Sequence, residues 1–196
     1  MTGNIKSPAG FTLLETITVI AIFSLTVVAT LNLYLLFFKN QIQVERQTTV
    51  QTDARFVLNA MMQALDIASI DYDYYGGAVP TNPSVLALRT VQHDSIRFRY
   101  DATTQVVEVC QHGPAHQPCD DLNPSMWSPL NDQVNSPVEV FQVWVSPSST
   151  PFQRDISGAA FSNEQPKVTV VLRLTDRTGE NAITFQTTLT SRVYER

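Results

Sequence analysis

From Thr16 to Phe38 the chain carries no charged side chain, a run of 23 residues. As a helix it measures about 35 Å, against a bilayer hydrocarbon core of roughly 30 Å. A run of this kind must lie in lipid, in a protein core or in a helical assembly. A cleaved secretory signal is the poorer reading. Val27-Val28-Ala29 would serve as a cleavage site, but Leu31 to Phe38 stays apolar beyond it, and typical signal h-regions span only about 7–15 residues. A plain signal anchor is the stronger rival. Lys6 before the run and Lys39 after it give almost no charge asymmetry, so charge does not set the orientation.

Glu15 sits at the mouth of the run. A carboxylate deep in a membrane helix costs about 2.5–3.5 kcal/mol on insertion scales, so one near the bilayer calls for a partner. Thr12-x-x-Glu15 is a capping-box pattern, and Glu15 could serve the helix start alone. If the chain were cut between Gly10 and Phe11, the new amine would lie one turn before Glu15 on the same helix face.

The stretch Gly10-Phe11-Thr12-Leu13-Leu14-Glu15, followed by a long apolar helix, resembles the prepilin cleavage and methylation signature of type IV pilins and type II secretion pseudopilins. The resemblance implies a prepilin peptidase that cuts after Gly10 and methylates the amine of Phe11. It implies that Glu15 pairs with the N-terminus of a neighbouring subunit during assembly. The apolar helix would first anchor the subunit and later line the filament core. Major pilins often carry a proline where this chain has Asn32, which favours a minor pilin or minor pseudopilin.

Residues 1–10 read as a leader, 11–38 as the membrane or filament-core half of a helix, 39–70 as its amphipathic half, and 71–196 as a β-rich head. Thr16, Thr18, Ser24, Thr26, Thr30 and Asn32 dot the apolar run; Ser and Thr there can bond to the preceding turn, pack against neighbours or simply be tolerated. Lys39 to Gln51 contains no Gly or Pro. Beyond it Ala54, Val57, Leu58, Met61, Leu65 and Ala68 recur on one helical face. One helix from Phe11 to about Ser69 is expected, its second half buried on a following element.

Asp71-Tyr72-Asp73-Tyr74-Tyr75-Gly76-Gly77 should end the helix. Its alternating acids could bind a cation, as some pseudopilins bind calcium, or form a solvated turn with packed tyrosines. Ten of the 11 prolines lie between Pro80 and Pro166, so the middle of the chain is rich in loops. Val85–Arg89 is a short apolar piece, and Ser95–Tyr100 and Gln105–Cys110 form a hairpin joined by Asp101–Thr104. Arg97 and Arg99 share one strand face, expected to be solvated. Val138–Val145 is a further strand. Lys167–Thr175 turns at Asp176–Gly179 into Ala182–Val193, the clearest hairpin in the chain. The fold class is α+β, with a long N-terminal helix on an antiparallel sheet. That layout is similar to minor pseudopilins, as is the closing stretch Ile183–Arg192.

Cys110, His112, His116 and Cys119 could bind zinc. The rival is a Cys110–Cys119 disulfide, which an exported domain with two cysteines favours. The disulfide is the expectation here, with no metal and no cofactor. The net charge is −5, and loss of Lys6 with the leader takes it to −6. That disfavours nucleic acid as a partner. No Gly-x-Ser-x-Gly, His-Glu-x-x-His or phosphate loop is present, no catalytic residue is assigned, and His93 stands alone. The expected protein is a non-enzymatic filament subunit. Its partners are the prepilin peptidase, other pilin or pseudopilin subunits and the membrane. It would be a single-pass plasma (inner) membrane protein with an extracytoplasmic head, later part of a pilus or pseudopilus. The alternatives are a filament-tip subunit that binds DNA, a surface or a secreted protein, and a signal-anchored extracytoplasmic enzyme.

Overall fold

The structure is a computed structural model that describes residues 12–111, 119–120, 123–151 and 164–191. One helix, α1, runs from Leu13 to Ile67. Two compact units divide the chain between Glu45 and Arg46. In the first unit every large apolar side chain from Leu13 to Phe38 is exposed. No breaker interrupts the run, and straight-chain and aromatic residues are tolerated in a helix.

In the second unit α1 becomes one-sided. Val50, Ala54, Val57, Met61, Ala64 and Leu65 are buried, at the spacing of one helical face. The expected stripe is therefore present, with Val50 and Ala64 added and Leu58 only half-buried. The helix stops at Ile67, and Ala68–Ile70 form strand β1. The expected helical end at Ser69 is displaced by pairing. β1 runs antiparallel to β2 (Val85–Thr90), with Ser69 opposite Arg89. The Ser69 hydroxyl donates to the Arg89 carbonyl. After β1, Asp73–Tyr75 form a 3-10 turn closed by Gly76 and Gly77, both at positive φ, where glycine lacks the Cβ penalty.

β2 pairs with β3 (Ser95–Asp101), and β3 with β4 (Val106–Gln111). A two-residue β5 (Ser128–Pro129) completes a five-stranded antiparallel sheet in the order β1-β2-β3-β4-β5. β6 (Val138–Ser146), β7 (Lys167–Thr175) and β8 (Ala182–Thr190) form a second, three-stranded sheet. The sequence pattern had suggested a single sheet. α+β with antiparallel strands is observed, but the strands divide into two sheets.

The period of two is clearest in β7, where Val168, Val170, Leu172 and Leu174 are all fully buried. They share one core with Met61 and Val57 of α1 and with Leu86, Leu88, Phe98 and Val107 of the larger sheet. Burying a side chain of this size contributes about 1.5–3 kcal/mol, and the stripe on α1 has no other place to go.

Candidate functional site

Thr12 precedes the first helical residue and caps α1. The Glu15 N–H donates to Thr12 Oγ1 at 3.3 Å and to the Thr12 carbonyl at 3.1 Å. This is one half of the capping box. The reciprocal half is not formed: the Glu15 carboxylate makes no hydrogen bond or ion pair with any described residue. Capping occupies the backbone of Glu15 and leaves its charge available. Gly10 and Phe11, the expected cleavage and methylation positions, lie outside the described residues.

Behind Glu15 the hydroxyls of Thr16, Thr18, Ser24, Thr26 and Thr30 each donate to the carbonyl four residues earlier, at 2.8–3.1 Å. Of the readings open to them, local back-bonding is the one observed. It removes their polarity from the helix surface and suits the segment to a non-aqueous surrounding. Among the described residues this is one helix long and apolar enough to cross a membrane.

Cys110, at the end of β4, is bonded to Cys119, with Cα atoms 6.0 Å apart. Both cysteines are buried and pack with Trp127 and Met126 in a small second core. His112 and His116 lie outside the described residues. The disulfide ties Cys119 and Asp120 to the five-stranded sheet. The Arg97 guanidinium donates to the Cys119 carbonyl and lies 4.4 Å from the centre of the Tyr74 ring. Arg99 lies 3.9 Å from the Trp127 ring and pairs with Glu108 at 2.7 Å. Trp127 Nε1 donates to the Asp120 carbonyl.

The expectation of a solvated face for Arg97 and Arg99 is thus corrected. Both are half-buried, Arg97 against Tyr74 and the Cys119 carbonyl and Arg99 against Trp127 and Glu108. Stacked arginines over aromatic rings add about 0.5–2 kcal/mol according to exposure. Trp127 and Glu108 had gone unmarked. The signal was present in the alternation that puts Arg99 and Glu108 on adjoining strands, but the register was needed to read it.

Asp71 and Asp73, the candidate cation ligands, both bind Arg89, at 2.8 Å and 3.0 Å. A guanidinium occupies the place a metal would take. Its own protonated form is reinforced: burial acts to lower the Arg89 pKa, and the two carboxylates outweigh that and raise it. The tyrosines of the same turn are packed, as the alternative reading had it. Tyr75 donates its hydroxyl to the Val85 carbonyl and accepts from the Ala87 N–H, and burial pushes its pKa up to about 12.

A groove of about 420 Å³ opens between α1 and the larger sheet, with Phe56, Ala60 and Ile67 on one wall and Ile96, Val109 and Leu130 on the other. Its remaining lining is Asn59, Gln63, Ala64 and Gln111, so among the described residues no lining side chain is charged or nucleophilic. These side chains can hold an apolar group.

No family model matches the chain, and neither a curated protein nor a solved structure matches it. The architecture is pilin-like: a long N-terminal apolar helix whose second half packs on antiparallel sheets.

Proposed function

We propose that this chain is a minor pilin or pseudopilin. In this reading a prepilin peptidase cuts between Gly10 and Phe11 and methylates Phe11. The apolar half of α1 then holds the subunit in the plasma membrane until it enters a type IV pilus or a type II secretion pseudopilus, with the head outside the cytoplasm. The observation that carries the reading is the junction at Glu15. A capped helix start bears a carboxylate unclaimed by any described residue, directly before an apolar surface exposed along its whole length. A neighbour's amine supplies the missing cation, and neighbouring helices supply the apolar cover. The Cys110–Cys119 disulfide suits an extracytoplasmic head.

The test is the mass of the native N-terminus. N-methylated Phe11 is expected. An intact Met1, or a start near Thr30, would sink the proposal. Glu15→Ala should remain processed and membrane-inserted yet enter filaments poorly, and normal incorporation would leave Glu15 with the cap alone. The uncharged groove beside Phe56 favours a second reading, in which the head sits at a filament tip and binds an apolar segment of a secreted protein.

A further inference from the structure

The two sheets present four edges, and three of them are blunted. β1 is three residues long, and its Ala68 carbonyl is taken by the Ser191 hydroxyl. β5 has two residues, one of them Pro129. β6 is long, but the Asn82 side chain accepts from its Val143 N–H, the Tyr100 hydroxyl donates to its Val138 carbonyl, and Ser149 beyond its end bridges to Ala78. Short strands, proline and covering groups are the usual protections of a sheet edge.

β8 has none of them. It spans nine residues, Ala182–Thr190, with no charge, proline or glycine. Among the described residues no strand pairs with it on the side away from β7.

The direction of its free backbone groups follows from the register. Ser191 and Pro166 oppose each other and share a hydrogen bond, as do Asp176 and Asn181 at the other end of the hairpin. In an antiparallel ladder bonded and non-bonded pairs alternate. The odd-numbered residues of β8 therefore bond to β7. Ala182, Thr184, Gln186, Thr188 and Thr190 turn their N–H and C=O groups outward. The same five side chains are exposed, while Ile183, Phe185, Thr187 and Leu189 are only half-buried.

We propose that β8 is an association edge that pairs antiparallel with β8 of a second copy of this chain, joining two three-stranded sheets into one of six strands. The strand is complementary to itself. The register that uses its full length is centred on Gln186 and sets Thr184 against Thr188, Ala182 against Thr190 and Ile183 against Leu189. All its outward donors and acceptors then meet in bonded pairs, no like charges oppose one another, and the threonines form cross-strand pairs of a favourable type. One such pair already exists within the sheet, between Thr169 and Thr188 at 3.0 Å. A two-fold contact of this sort closes on itself and stops at two copies.

The pairing is independent of the filament assignment and is tested on the full chain in detergent micelles. Both native cysteines are in the disulfide, so an introduced cysteine is the free thiol. In a bonded antiparallel pair the Cα atoms stand about 5.5 Å apart, within disulfide range. Gln186→Cys should give a covalent dimer on oxidation. Thr184→Cys and Thr188→Cys should each give little alone, and a mixture of the two should cross-link. Gln92→Cys, on the exposed β2–β3 turn, controls for chance encounters in a micelle and should stay monomeric. Gln186→Lys sets two ammonium groups face to face and should weaken dimerisation roughly tenfold or more with the thermal midpoint of the head unchanged. Cross-linking of Gln186→Cys no greater than that of Gln92→Cys, or to another protein rather than to itself, overturns the proposal. So does a Gln186→Lys variant that sediments like the parent.

Discussion

Leu13–Phe38 and Val50–Leu65 belong to one helix, yet they meet their surroundings in opposite ways. The first stretch is apolar on every side, and each of its large side chains is exposed, Leu13 at 79% and Phe37 at 68%. The second is apolar on one stripe, and Val50, Ala54, Val57 and Met61 have no exposed surface at all. A helix with one apolar stripe is completed by its own chain. A helix that is apolar all round is completed by something outside it, whether lipid or other helices. The serine and threonine hydroxyls of the first stretch fit this division, because their bonds to the preceding turn satisfy them within the helix.

Truncation should separate the two halves most sharply. Met61→Ala removes a fully buried side chain from the core shared by helix and sheets and should destabilise the head by about 2–5 kcal/mol. Phe23→Ala removes an exposed ring, 68% accessible, and should leave head unfolding within about 0.5 kcal/mol of the parent. Thermal and denaturant unfolding of the full chain in micelles, followed through the tryptophans, measures both. Equal losses would mean that the exposed half is not separate from the stability of the head.

The next effect lies in the head. Loss of the Cys110–Cys119 bond frees a short loop, since the two cysteines are nine residues apart. Chain entropy alone makes the bond worth about 2–3 kcal/mol, less any strain. Cys110→Ser with Cys119→Ser should therefore cost less than Met61→Ala. Because Arg97 bonds to the Cys119 carbonyl and Arg99 stacks on Trp127, the cost should come with altered Trp127 fluorescence. An unchanged emission spectrum would show that the surroundings of Trp127 persist without the bond.

What could be read in advance follows the range of the interactions. The helix, its change of character after Phe38, the buried stripe and the β7–β8 hairpin rest on periodicity within a few residues of chain, and the structure has them. The disulfide also followed, from two cysteines behind a long apolar N-terminal helix. The division into two sheets did not, because the partner of a strand is fixed by contacts far along the chain. β5 is too short to carry a pattern, and only the fold brings Pro129 opposite Glu108. Arg97 and Arg99 looked solvated because the groups that cover them, Cys119 and Trp127, come from a proline-rich stretch with no period. Asp71 and Asp73 read as part of a solvated turn, with a cation as the alternative, because Arg89 reaches them only through the pairing of β1 with β2.

The smallest effect concerns a carboxylate that the pattern marked only as part of a turn. Asp176 ends β7, is buried, and organises the turn into β8. Its carboxylate accepts from the Thr178 N–H and hydroxyl, the Glu180 N–H and the Asn181 side chain, at 2.7–3.1 Å. Burial pushes this carboxyl up, but the hydrogen bonds from Asn181 and Thr178 outweigh it and hold its pKa at about 2. A carboxyl lowered in the folded state stabilises the fold in its ionised form. That contribution is complete above the unfolded value of about 4 and fades as the pH falls toward 2. The parent should lose stability over this window faster than Asp176→Asn, which has nothing to protonate. The variant should be less stable at neutral pH, since an amide replaces one acceptor oxygen with a donor that faces donors. Thermal midpoints of both proteins between pH 7 and pH 2 measure the difference, which should narrow steadily below about pH 4. A constant difference across that range would mean that Asp176 holds the turn by shape and not by charge. The half of α1 before Phe38 contains no ionisable group after Glu15 other than Tyr34, so the acid response should belong to the head, and helix content from the exposed half should persist after the head has unfolded.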